Sequence, residues 1–311
     1  MLGVSASVIV LGLGLGWYWH GPPLTSTARV AVAGGDGGGL PLAQPRDEHF
    51  DADALERVSR DRAASGLLAF IVMRHGHIVF ERFGHGTSAQ SMIDSGPFAR
   101  VLVGLLAGVA VQDGVLPAAA LSGFDPARLR AGIELGAHQH YADYLSQRLW
   151  APLNAGPAWI VLPAAGAVAP ADCCFEARIL DWMRIAGVLV NDGSFEDTQV
   201  VGRGWVARMR RPMSAGGTEG FGLELASTAP NARRFATNDI FFLRGPGHWR
   251  LWVMPGLHLA VLFGAAGETQ AASGAAAWDE TRLPNLVVGA LIDRPAARSS
   301  GSLLQQLVPG H

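Results

Sequence analysis

The sequence predicts an α+β domain in which helices cover both faces of one antiparallel sheet. Three observations carry this. β-rich runs lie near both ends of the chain, at "GLLAFIVMRHGHIVFERFGHG" (66–86) and "DIFFLRGPGHWRLWVMPGLHLAVLFGAA" (239–266). The tract between them is dominated by helical spacing. A helical segment flanks each run on its outer side, so terminal helices can cover one face and the middle block the other.

The elements follow in order. Leu2 to Trp19 carries no charge and closes on Trp17, Tyr18 and Trp19. About twenty apolar residues span a bilayer, and aromatic residues favour its interface. Residues 1–22 are therefore expected to be an uncleaved membrane anchor. A cleaved signal peptide is the alternative, but Ala31-Val32-Ala33 lies too far beyond the apolar run. Residues 23–49, rich in Gly, Pro and Ala, read as a tether. The folded domain is expected over 50–295, with a tail at 296–311.

"DADALERVSRDRAAS" (51–65) has helical spacing and an acidic start. Strands are expected at 67–73 and 77–83 around a His-Gly turn. An apolar helix covers 97–113 and stops at Gly114. "QHYADYLSQRLW" (139–150) is amphipathic, "EARILDWMRIAGVLVNDG" (176–193) is a helix ended by Asn-Asp-Gly, and "GRGWVARMRR" (202–211) is a short one. Strands at 239–244, 249–254 and 257–263 are joined by Gly-Pro-Gly and Pro-Gly turns. "LPNLVVGALIDR" (283–294) closes the domain.

Composition excludes several chemistries. With 311 residues, 49% apolar and 16% charged, the chain can bury a substantial core. A net charge of −2 gives no electrostatic reason to bind nucleic acid. All 24 basic residues are arginines. Without lysine there is no Schiff base, no Walker A phosphate site and no Ser-Lys dyad. Cys173 and Cys174 are adjacent. Neighbouring cysteines seldom pair, and two thiols fall short of a zinc site, so they read as a buried pair of small residues.

His75 and His77, with His85 nearby and Glu81 as a third ligand, have the residue types of a metal site. The pair falls in a turn, however, where the rings are expected to diverge. His138 and His140 have no evident partner. No metal and no cofactor are expected.

Several segments together resemble the β-lactamase and penicillin-binding-protein superfamily, in particular its class-C-like esterase branch. "GHIVFERFGHG" resembles the strand before the nucleophile, and "VGLLAGVAVQDGVL" the body of the nucleophile helix. "YADYLSQRLWAPLN" is similar to the helix ending in Pro-Leu-Gly. "CCFEARILDWMRIAGVLVNDG" resembles the downstream Asp…Arg helix, and "GFGLEL" a Tyr-Gly-Leu strand. "RGPGHWRLWVMPGLHLAVL" resembles the strands carrying the third motif. The resemblance covers about residues 50–293. It implies an αβα sandwich: a central five-stranded antiparallel sheet, terminal helices on one face and a reduced helical block on the other.

The resemblance also implies where catalytic groups would stand. In relatives the helix opens Ser-x-x-Lys, with serine attacking a carbonyl and lysine helping to take its proton. A gapless match from Val103 to Gly114 puts Pro97 at the serine and Arg100 at the lysine. Proline has no nucleophile, and arginine stays protonated at any working pH. Pro97 suits a first helical turn. Ser91, opening "SMID", and Ser95, which reads as an N-cap, are the displaced nucleophile candidates.

The Tyr-x-Asn segment reads as deleted. Tyr141-Ala-Asp143 mimics it, but the spacing of Tyr141, Tyr144, Leu145 and Leu149 marks a core face. At the third motif, Arg244, Gly245, Gly247 and His248 are candidate ligand contacts, since arginine can hold a carboxylate bidentately. The alternative there is a Gly-Pro-Gly turn with solvated flanking charges.

The expectation is a membrane-tethered, catalytically degenerate domain that binds or scaffolds, with an active homologue or an envelope component as protein partner. The folded part would face the periplasm from the inner membrane. The alternative is a residual ester or amide hydrolase using Ser91 or Ser95.

Overall fold

The computed structural model describes residues 28–63, 66–163, 167, 173–266 and 279–292. In chain order the elements are β1 (Arg29–Val32), α1 (Ala52–Ala63), β2 (Leu67–Arg74), β3 (His77–Phe83), β4 (Met92–Asp94), α2 (Ala99–Gln112), α3 (Pro126–Ala137), α4 (Tyr141–Leu145), β5 (Ala158–Val161) and β6 (Phe175–Arg178). Then come α5 (Ile179–Val190), β7 (Ser194–Phe195), β8 (Thr198–Gln199), α6 (Trp205–Met209), β9 (Glu224–Leu225), β10 (Phe241–Arg244), β11 (Arg250–Met254), β12 (Leu259–Ala265) and α7 (Arg282–Gly289).

The main sheet is antiparallel throughout, in the order β3-β2-β12-β11-β10-β9. All five expected strands are present, and β9 adds a sixth beside β10. β2 shows why the sheet is buried on both faces. Ala69, Ile71 and Met73 point into one core and Phe70 and Val72 into the other. The first core also holds α2 and α5; the second holds residues of α1 and α7. The sandwich expected from the order of elements is thus the one observed.

α5 packs on β11 and β12, while α2 packs against α3 and α6. Every residue of α2 from Val101 to Ala110 is buried. This matches a stretch with no charge between Arg100 and Asp113. Its far end is fixed by polar groups: Tyr144 Oη and the Arg148 guanidinium both donate to the Asp113 carboxylate, at 2.6–2.7 Å.

Several expectations need correction. A second sheet, β1-β5-β6-β4, was not foreseen. Residues 175–178 join it as a strand, so the helix expected from 176 begins at Ile179. The helix expected over 139–150 is α4 followed by a wider π turn at Ser146–Trp150. α3 went unread, although Asp125-Pro126 is a start signal. The Asp125 carboxylate accepts from Arg128 N–H at 3.0 Å, and Pro126 opens the first turn.

The segment read as a tether is folded from residue 28 onward. β1 pairs with β5, and Ile78 N–H donates to Pro41 O at 2.8 Å. Its glycines serve close approach rather than looseness. A Cβ on Gly34 would collide with the Ala155 carbonyl. Gly37, at φ +64°, lies against the Arg178 guanidinium, which donates to its carbonyl at 2.9 Å; Arg184 donates to Gly38 O. Both arginines are held by the fully buried Asp181. The apolar run 2–19 and the tail 296–311 lie outside the described residues. Among the described residues no helix is long and apolar enough to cross a membrane.

Cys173 and Cys174, expected as unpaired thiols, are bonded to each other. Cys174 takes a left-handed backbone, φ +68°, an uncommon conformation for a residue with a side chain. The expectation that His75 and His77 diverge also fails. Their Nδ1 atoms converge on one carboxylate, Glu48, at 2.6 and 3.2 Å, and Glu81 is not the shared partner. Glu48 precedes the domain start expected from sequence.

Candidate functional site

The helix start implied by the resemblance is built from four pieces. β4 delivers the chain to Ser95, whose N–H donates to Phe175 O on β6 at 3.0 Å. Gly96 follows at φ +47°, its N–H held by the Asp94 carboxylate at 2.9 Å. A 3₁₀ turn, Gly96–Phe98, then leads into α2. Phe98 is fully buried and meets Trp182 edge-on at 5.2 Å, which fixes the turn to α5.

Pro97 sits exposed at the second position of that turn. Arg100 is half-buried over the Phe124 ring at 5.3 Å. The "GFG" stretch runs beneath it: Gly222, at φ +82°, would place a Cβ 2.7 Å from Arg100 O. Arg100 is thus held as a cation stacked on an aromatic face. Neither side chain supplies a nucleophile or a base.

Ser91 and Ser95 are both structural in their contacts. Ser91 Oγ accepts from Ser88 N–H at 2.9 Å, and Ser91 O accepts from Ile179 N–H at 3.0 Å. Ser95 is buried, its hydroxyl 3.4 Å from Gly96 O. Among the described residues neither hydroxyl hydrogen-bonds to a histidine, carboxylate or tyrosine.

The third-motif hairpin closes on this turn from the sheet side. A Cβ on Gly96 would lie 2.7 Å from Pro246 Cγ, and one on Gly245 would lie 3.2 Å from Phe98 and 3.4 Å from Ser95 O. The Pro246 ring therefore occupies the space directly against the helix start. Gly245 N–H donates to Trp249 O at 2.9 Å, and Gly247 takes φ +57°, as a tight turn requires.

Arg244 points elsewhere. Phe241 and Leu243 belong to the α2 core and Phe242 to the α7 core, so alternation puts Arg244 on the α7 side. There it contacts Glu224 at 3.2 Å and Glu280 at 3.4 Å. Arg250, its register partner, also holds Glu280, at 2.9 Å. Burial raises the Glu224 carboxyl above its usual range, and Arg244 opposes this. Burial, and then Arg250, lowers the half-buried His248. A cavity of about 460 Å³ lies over Glu224, Arg244, Phe242 and Arg233. The four ligand-contact candidates lie within one five-residue stretch, but Arg244 is on the opposite face of the sheet from the helix start.

Tyr141, Tyr144, Leu145 and Leu149 are all buried, as their spacing predicts, and Asp143 is exposed. Burial raises both tyrosine hydroxyls well above their usual range; the Asp113 carboxylate adds to this at Tyr144. Sequence reasoning missed the Gly96–Pro246 contact and the Arg178–Asp181–Arg184 cluster. The Asp181-x-x-Arg184 spacing was a visible signal for part of the cluster; nothing local in the sequence pairs Gly96 with Pro246.

No protein-family model matches the chain, and no curated protein matches it by sequence. Solved structures do. One from Bacillus anthracis, described as a 6-aminohexanoate-dimer hydrolase, is 11% identical with a TM-score of 0.61, over 77% of this chain and 85% of that one. A family VIII carboxylesterase is 12% identical with a TM-score of 0.56, over 81% and 99%. A β-lactamase from Mycobacterium bovis is 17% identical with a TM-score of 0.54, over 70% and 92%. At such identities the likeness speaks for the backbone alone. The chain has the fold of the β-lactamase and penicillin-binding-protein superfamily.

Proposed function

We propose that this chain is a catalytically silent domain of the β-lactamase-like fold that acts by binding, tethered to the inner membrane by residues 1–22 with its folded part in the periplasm. An active homologue or another envelope component would be its partner. One observation carries the reading. Where the family pattern has serine and lysine, this chain has an exposed proline and an arginine stacked on Phe124, with the Pro246 ring seated against the same turn. Acyl transfer needs a nucleophile, a group to take its proton and room for the acyl carbon beside both. Neither Pro97 nor Arg100 can supply the first two, and the Pro246 ring lies against Gly96, the residue just before Pro97. The anchor rests on the uncharged run Leu2–Trp19.

The test is turnover of an activated ester and a chromogenic β-lactam by the native chain and by Ser91→Ala and Ser95→Ala. The expected result is a rate equal to buffer for all three. Robust hydrolysis by the native chain, lost in either alanine variant, would establish a displaced nucleophile and overturn the reading. Pro97→Ser with Arg100→Lys restores both groups one turn apart. It is still expected to give no more than slow acylation, because the tyrosine segment and the space beside Gly96 are not restored.

A further inference from the structure

We propose that Cys173 and Cys174 form a redox-responsive site: a disulfide that a dithiol reductant opens, and whose opening loosens the start of α2. Three observations converge. The two cysteines are bonded to each other, and neither residue is fully buried. Cys174 holds a left-handed backbone, φ +68°, that an unlinked cysteine rarely adopts. Finally, the pair stands at the head of β6, where the chain is bonded to both its neighbours. Cys174 O accepts from Val161 N–H at 2.7 Å, and Phe175 O accepts from Ser95 N–H at 3.0 Å. Cys173 also lines a cavity of about 10 Å³ with Tyr141, Ala99 and Leu102, beside the first turns of α2. That space admits one water at most, so Cys173 is packed against the helix start and does not hang free.

The chemistry balances as thiol–disulfide exchange. A thiolate of the reductant attacks one sulfur and forms a mixed disulfide, and the other cysteine leaves as a thiolate. The second thiol of the reductant, as thiolate, then displaces the first cysteine. The reductant is oxidised to its disulfide, and Cys173 and Cys174 end as two thiols. Release of the ring frees Cys174 to leave the left-handed region. Its carbonyl and that of Phe175 then turn, and the bonds to Val161 and Ser95 weaken. The site does not depend on the catalytic reading of the chain, because it concerns residues outside the Ser-x-x-Lys pattern.

The test uses the full chain, whose only two cysteines are these. Without reductant, maleimide is expected to add to neither cysteine by intact mass. After dithiothreitol under native conditions it should add to both, and a monoarsenical should bridge them one to one. Hydrogen exchange should then show the Ser95 and Val161 amides at least about tenfold faster in the reduced chain, with α5 unchanged. The double variant Cys173→Ser, Cys174→Ser should exchange at the reduced rate whether or not reductant is present. Two free thiols in the air-oxidised chain would overturn the proposal. So would exchange at Ser95 and Val161 that reduction leaves unaltered.

Discussion

Asp181 shows how much a single buried side chain fixes. It is fully buried between Arg178 and Arg184, and it also accepts from Gly156 N–H at 3.2 Å. Burial lowers the pKa of Arg184, with Asp181 opposing that shift. Asp181→Ala strands two guanidiniums and is expected to cost about 3–5 kcal/mol. Urea unfolding checks this; a loss below about 1 kcal/mol would show that the arginines find other partners. Gly96→Ala is expected to cost at least about 1 kcal/mol, since φ +47° disfavours any side chain and Pro246 fills the space. In a Pro246→Ala background the steric part should vanish and the backbone part remain, so the two changes should not be additive. At this scale the sequence was legible where a local rule applied, as at Pro97 in the turn that opens α2. It was legible but unread at Arg244, whose face follows from strand alternation. The Gly96–Pro246 contact was not legible, because it joins residues 150 positions apart whose own neighbours say nothing of each other.

The elements show the same division. α2 was read correctly because an uncharged run of helical length, closed by Gly114, fits a helix buried on all sides. The particular residues seated against it were not legible. Gly104 and Gly108 lie one turn apart, with Met209, Trp205 and Phe221 seated over them, and Trp205 Nε1 donates to Gly104 O at 3.0 Å. A Cβ on Gly108 would collide with the Trp205 indole. Gly108→Ala therefore sets two effects against each other. Overpacking costs about 1–3 kcal/mol, and alanine gains about 1 kcal/mol in helix propensity. The expected net result is a lower unfolding midpoint, eased when Trp205→Leu is added; a stabilised Gly108→Ala would mean the helices part freely. At the other end of α2, the bond from Arg148, with one from Tyr144, holds the Asp113 carboxyl below its usual range. The charged form is favoured in the fold. Its contribution is therefore fully present above the unfolded carboxyl value, about 3.9, and is lost as pH falls through the lower folded value. The acid limb of a stability–pH profile should flatten in Asp113→Asn. The second sheet escaped the sequence because β4, β5 and β6 are three or four residues each, too short for alternation to register.

For the whole molecule, the order of strands and helices was enough to give the layers, since each amphipathic element must bury its face against another. The domain edge was misplaced because glycine was read as looseness. Gly34 and Gly37 instead let the backbone pass close to Ala155 and Arg178. If the tether-like segment is folded from residue 28 and only residues 1–22 hold the membrane, deleting 1–22 should release a soluble domain; one that still sediments after a high-salt wash would require a second attachment surface. The central claim is that this fold is kept without its nucleophile. Intact mass after incubation with a fluorophosphonate tests it most directly, because the reagent needs only an activated hydroxyl and no particular substrate. The account predicts an unchanged mass for the folded chain. A stoichiometric adduct mapped to Ser91 or Ser95 would contradict it.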